Sequence, residues 1–197
     1  MPKQFSDAFF LKPTIQVAKK LLGAKLTTTI GGKSASGMVV EVEAYGGSKD
    51  RACHAFSGPS KRNQVMFQSG GRCYVYLIYG MHYCVNVVTE AEGVGSAVLI
   101  RAVEPLEGHD LILKRRGHAR ISPNITNGPG KLCQALGIDL SLLGDSYTRS
   151  SKIRLEPYQK IGDSNIGISK RIGITKSAAL PWRFFIKDHP FVGKLPR

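Results

Sequence analysis

Residues 71–88 read GRCYVYLIYGMHYCVNVV. Four of the chain's seven tyrosines stand in this stretch: Tyr74, Tyr76, Tyr79 and Tyr83. Residues 73–79 are β-branched, aromatic and aliphatic, the composition of a strand. Gly80 supplies the freedom that a tight turn needs. A second apolar run, Tyr83–Val88, follows at once, so the stretch is a β-hairpin. Side chains alternate along a strand, which puts Tyr74 and Tyr76 on one face. Tyr79 belongs to the other face of a straight strand, but beside Gly80 the chain can aim it outward from the tip. Rings in an isolated strand ordinarily fill a core. A buried tyrosine hydroxyl needs a partner, however, and rings beside positive charge are what a base-stacking site needs.

Upstream, Ser36 to Tyr45 is a second strand. Alternation puts Met38, Val40, Val42 and Ala44 on its core face. Val39, Glu41, Glu43 and Tyr45 fall on the other. Two carboxylates and a ring on one face read either as a solvated surface or as an acid held in a cleft. Before them, PTIQVAKKLL from Pro13 is a helix closed by Gly23, Lys25–Ile30 is a strand, and Gly31-Gly32 is a hairpin turn. Residues 46–72 form a long loop of the kind that often carries function. Within it Lys61, Arg62 and Asn63 are suited to phosphate contacts, with Ser60 beside them as a further candidate, and His54 reads by itself as an ordinary loop histidine.

Downstream, Ser96–Val103 is a strand on which Leu99 and Arg101 project together. An arginine in so apolar a run is an edge charge or the partner of a buried acid, and Glu43 is a candidate for that acid. Pro105 opens a helix, PLEGHDLILKRR, whose last turn is cationic. A basic loop at 117–130 leads into the helix KLCQALGI, with Lys131 near its N-terminus, where an anion is favoured. Lys152–Glu156 and Trp182–Lys187 are late strands. There is no repeat or linker, so residues 1–197 read as one α+β domain.

The 197 residues carry a formal charge of +14, with cations spread along the chain rather than gathered in a tail. That balance calls for a polyanion, nucleic acid before an acidic membrane. A membrane partner is disfavoured, since no basic amphipathic helix has a large apolar face. Cys53, Cys73, Cys84 and Cys133 show no C-x-x-C spacing, so zinc ligation is not expected. The N-terminus lacks a signal peptide, and an intracellular location follows, in cytoplasm, nucleoid or nucleus.

Several ordered motifs are similar to one family. EVEAY at 41–45, His54, the RN..MF of 62–67, YVYLIYGMHYCVN at 74–86, VLIRAVEPLEG at 98–108 and GPGKLCQALGI at 128–138 resemble the alkyladenine (3-methyladenine) DNA glycosylases of the mammalian type. The similarity runs over roughly residues 9–193 and includes the tail WRFFIKDHPFVG. The resemblance implies a curved, largely antiparallel sheet flanked by helices, with a protruding hairpin. It implies Glu43 as the general base that activates water and Arg101 as its positioning partner. Tyr45, His54 and Tyr76 would enclose a flipped base, Leu99 would add a wall, and Asn86 would exclude normal purines. Tyr79 would enter the duplex. The implied protein is a monomer acting on double-stranded DNA that carries a damaged purine. It would hydrolyse the N-glycosidic bond without strand cleavage, cofactor or metal. The alternative is a non-catalytic binder of damaged or structured nucleic acid.

Overall fold

Two strands, Ala24–Ile30 (β1) and Lys33–Gly46 (β2), fold back on each other through Gly31 and Gly32, both at positive φ (59° and 72°). That conformation suits a turn that must match the strands' twist. The hairpin at 71–88 forms Cys73–Ile78 (β3) and His82–Thr89 (β4), followed by Ser96–Glu107 (β5). Ile153–Pro157 (β6), Ile166–Ser169 (β7) and Arg183–Ile186 (β8) complete an eight-stranded sheet. These ranges come from a computed structural model, which describes residues 4–193. The main path runs β3-β4-β5-β2-β1-β6, and β8 joins β2 to β7. Every strand pairing is antiparallel.

The long strand β2 organises the sheet. One edge pairs with β5. The other pairs with β1 up to Met38 and with β8 at Glu41–Glu43. Among the described residues four α-helices accompany it: Asp7–Phe10 (α1), Thr14–Leu21 (α2), His109–Arg116 (α3) and Pro129–Leu136 (α4). Val17, Leu21, Ile112, Leu132 and Leu136 from these helices meet Val42, Val85, Val87, Val98 and Ile100 in the main core. Val88 and Ala97, next to Val87 and Val98, join Tyr74, Cys53, Ala55, Val65 and Met66 in a smaller cluster on the opposite face. Alternation along each strand thus divides the molecule into two unlike sides. Among the described residues no helix is long and apolar enough to cross a membrane.

Two sequence expectations need correction. Val39 was expected opposite Val40, yet both are buried in the main core with Met38. Val39 pairs with Val103 and Glu41 with Ala102, so Val40 is an extra residue. Such a bulge resets the alternation. The expected helix from Pro105 is the second correction. Pro105 and Leu106 belong to β5, and α3 begins only at His109, after Gly108 at φ 75°. Pro105 faces Gly37 next to a register shift, where a strand tolerates a residue with no N–H. The chains approach closely there, since a Cβ on Gly37 would stand 2.8 Å from Val103 Cγ2.

Candidate active site

One row of directly opposed residues crosses five strands: Tyr74, Asn86, Leu99, Glu43 and Arg183. Opposed residues share a face, and this is the face away from the main core. The site is therefore assembled by strand register, which places residues far apart in sequence along a single line.

At its centre Glu43 is fully buried. Its Oε1 accepts the Ile172 N–H at 2.7 Å and lies 3.2 Å from Arg101 Nη1. Its Oε2 accepts the Tyr45 hydroxyl at 2.9 Å. Arg101 also donates Nε to Glu41 Oε1 at 2.9 Å. Glu41 takes a second guanidinium, Arg183 Nε at 2.7 Å, and the Gly193 N–H at 2.7 Å. Both carboxylates on this strand face are thus paired and hydrogen-bonded, as buried charges must be. Burial alone would weaken the Arg101 proton, but Glu43 and Glu41 outweigh it and hold the guanidinium charged. For Tyr45, burial first and then the Glu43 charge push the hydroxyl far above its ordinary range, so it stays a donor.

A cavity of about 640 Å³ opens above this cluster. Tyr45, His54, Tyr76, Tyr79, Asn86, Leu99, Arg101 and Lys131 all line it, so eight of the residues singled out in the sequence share one space. Glu43 lies behind that wall, with Tyr45 and Arg101 between it and the opening. The His54 ring meets Tyr76 edge-on at 4.5 Å, and its Nδ1 is 3.0 Å from the Tyr74 hydroxyl. Burial, and then the nearby Arg62, lower the His54 pKa and keep the imidazole neutral near pH 7. Asn86 donates Nδ2 to the Tyr74 carbonyl at 3.0 Å, which fixes its amide in the wall.

Tyr79 stands at the mouth, 84% exposed and at φ 54°. Gly80 follows at φ 70°, and the Met81 N–H closes the turn on the Ile78 carbonyl at 3.2 Å. A bulky residue in left-handed backbone is uncommon. Here it turns the ring away from both strand faces. Met81, 70% exposed, flanks it.

The phosphate candidates separate. Lys131 lines the rim, with Nζ held by Asn127 Oδ1 at 2.8 Å. Ser60, Lys61 and Arg62 are exposed outside the cavity lining, although the Arg62 guanidinium lies 5.5 Å from the Tyr76 ring centre. Sequence reading missed Arg116 and the Ile172–Ile174 segment, which also line the cavity. Arg116 was visible only as a helix-end cation, and SKRIGITKS only as a basic loop. Among the described residues no group of three or more His, Cys, Asp or Glu is placed to hold a metal ion.

Known proteins are similar to this chain. A family model described as methylpurine-DNA glycosylase matches residues 8–190. The chain belongs to the methylpurine-DNA glycosylase family. That match contains the whole site from Glu41 to Arg183. Similar proteins provisionally named 3-methyladenine DNA glycosylase occur in Chlorobaculum parvum, Bacillus cereus and Methanocella arvoryzae. The first is 44% identical over 191 residues, covering 96% of this chain and 90% of that protein. The second is 44% identical over 203 residues, with 97% and 99% covered. The third is 42% identical over 197 residues, with 98% and 96% covered. Membership in the methylpurine-DNA glycosylase family thus rests on nearly the whole chain rather than on one motif.

Proposed function

We propose that this protein is a DNA glycosylase of base-excision repair, of the mammalian type. It hydrolyses the N-glycosidic bond of alkylated or deaminated purines, with 3-methyladenine as the type substrate. The observation that carries this reading is the buried Glu43–Arg101 pair directly behind an aromatic cavity. A protein that only bound nucleic acid would have no use for a fixed carboxylate in a polyanion cleft.

The target base lies inside a stack, so it must be extruded, at a cost of a few kcal/mol that is smallest for damaged or mispaired bases. Tyr79 enters the duplex and fills the gap, as inserted side chains do in other kinked duplexes. The extruded base stacks against Tyr45 and Tyr76, each contact contributing on the order of 1–3 kcal/mol. Asn86, clamped to the Tyr74 carbonyl, crowds the exocyclic amino group of guanine and so works against undamaged purines. Lys131 and Arg116 at the rim, with Ser60, Lys61 and Arg62 outside it, meet the phosphates.

Glu43 Oε2 accepts one hydrogen bond, from Tyr45, and a shift of the Tyr45 and Arg101 side chains that cover it opens its remaining lone pair to a hydrogen of water. That water attacks the sugar C1′ as the base departs through an oxocarbenium-like state, the same logic by which carboxylates serve glycoside hydrolysis. The oxygen–C1′ bond forms, the C1′–N bond breaks with its electron pair going to the base, and the water proton passes to Glu43. Arg101 pairs with the carboxylate and holds it oriented. No lysine acts as nucleophile. Lys131 is the lysine of the cavity lining, and its amine is engaged by Asn127 at the rim. A duplex with one hypoxanthine, one with ethenoadenine, and methylated genomic DNA would each be incubated under single-turnover conditions with wild type and Glu43→Gln. Free base is expected from wild type alone, with no borohydride-trapped protein–DNA adduct. Base release by Glu43→Gln at the wild-type rate would remove Glu43 from the role. A trapped adduct would remove the monofunctional mechanism.

A further inference from the structure

A further buried ion pair adjoins the site and takes no part in the steps above. Arg171, 5% exposed, donates Nη2 to Asp50 Oδ1 at 2.9 Å and Nη1 to Asp50 Oδ2, a two-pronged pair with the carboxylate fully enclosed. Burial opposes the charge on Asp50, yet the Arg171 hydrogen bonds hold its pKa below the ordinary range. Pairs of this kind are poor devices for stability alone, because removing two charges from water offsets most of what their attraction returns. This one also leaves Arg171 Nε buried without a hydrogen-bond partner.

What the pair joins is informative. Arg171 Nη1 donates to the Ala44 carbonyl at 2.9 Å, between Glu43 and Tyr45. Its guanidinium lies 4.6 Å from the centre of the Tyr45 ring and 5.4 Å from that of Trp182. Nη2 reaches the Ser177 carbonyl at 3.3 Å. Asp50 in turn accepts the Gly46 N–H at 3.2 Å and the Ala52 N–H at 3.1 Å. Three segments are therefore tied at one point: the end of β2, the loop through Ala52–His54, and the loop from Arg171 to Ser177. Each supplies cavity wall, as Tyr45, as Ala52 to His54, and as Ile172 to Ile174. The residue after Arg171 also gives Glu43 its backbone donor.

We propose that Arg171 and Asp50 are positioning residues for base release. They fix the Tyr45 ring from behind and hold the Ile172 N–H on Glu43. The inference rests on the glycosylase reading. Neither residue touches DNA; both act through Tyr45 and Ile172. A wall displaced by about 1 Å can cost on the order of 100-fold in rate without changing what binds.

Removing Arg171 alone would strand the Asp50 charge and can unfold the chain. The informative variants are Arg171→Lys, which keeps the charge and loses the fork, and Asp50→Asn with Arg171→Gln, which neutralises both partners together. Each is measured for single-turnover release from a hypoxanthine duplex and for Kd on a duplex with an abasic site. Emission of Trp182, the chain's one tryptophan, reports the local change in folded protein. Release is expected to fall about 10- to 100-fold in the double variant and less in Arg171→Lys. Kd should stay within about threefold of wild type, with Trp182 emission altered and the fold intact by circular dichroism. Release per folded molecule within about twofold of wild type would reduce the pair to a structural pin. So would release and affinity falling in equal measure. A wild-type protein that releases no base from any substrate would overturn the proposed function, and this inference with it.

Discussion

The two faces of the sheet are built from the same strands and have opposite chemistry. On the helix side Val42, Ile100, Val98, Val87 and Val85 interlock with Val17, Ile112 and Leu132. One residue along each strand, the other side carries Glu43, Arg101, Leu99, Asn86 and Tyr74. It buries three carboxylates, Glu41, Glu43 and Asp50, against Arg101, Arg183 and Arg171. An apolar face is held by area and shape, which many side chains can supply. A charged, enclosed face is held by specific donors and acceptors, each of which leaves an expensive orphan if its partner goes. Stability should therefore reside mainly on the first face and reaction geometry on the second.

The largest effect expected is at Glu43. Glu43→Gln keeps the shape of the wall but replaces one acceptor oxygen with an NH2 donor, and base release should fall by roughly 100- to 10,000-fold, the range of positioned acid–base groups. DNA binding by anisotropy should be unaltered; a comparable loss of binding would show that the face is not divided as described. Ile100→Ala tests the other side. Ile100 is fully buried, so its truncation should cost about 2–5 kcal/mol in urea unfolding. Release per folded molecule should remain, and a selective loss of chemistry would break the comparison.

Tyr79→Ala comes next in size. The ring is exposed, so stability should change by no more than about 0.5 kcal/mol. The flipped state should weaken by the ~1–3 kcal/mol of a stacked ring. The signal of 2-aminopurine beside the lesion reads this directly, and an unchanged signal would remove Tyr79 from the duplex. The smallest effect is at Arg62. Arg62→Ala should lower the slope of log K against log salt by about one, if the side chain meets a phosphate. It also removes the lesser of the two causes that depress His54, so the ring pKa, followed by NMR, should rise part of the way towards 6.5. The sign follows from linkage. A histidine with a lowered folded pKa takes up its proton more readily when unfolded, so its contribution is lost as pH falls below 6.5. In Arg62→Ala that loss should shrink.

The hairpin, β1, the outline of β2 and the late strands were legible in the sequence, because period-two patterning and glycine turns are local signals. Alternation also placed Glu43 with Tyr45 and Leu99 with Arg101, and all four meet at the site. The bulge at Val40 was invisible, since Val39, Val40 and Val42 are equally apolar and only pairing with β5 shows which residue is extra. Pro105 misled for a related reason: its missing N–H suits a helix start and a strand irregularity alike. Arg171 and Asp50 lay 121 residues apart in loops, where no periodicity links one to the other. The grip of Glu41 on both Arg101 and Arg183 needed the register of three strands.

The position of β2 also bears on time. Its edges are covered by β5 on one side and by β1 and β8 on the other, so the amides around Glu43 have no route to solvent short of dismantling the sheet centre. Such amides exchange hydrogen only as fast as the whole molecule opens, whereas loop tips such as that of Tyr79 exchange early. On warming, the carboxylate should keep its geometry until the global transition. Loss of base release and loss of the fold would then follow a single curve, with the tip loosening ahead of both.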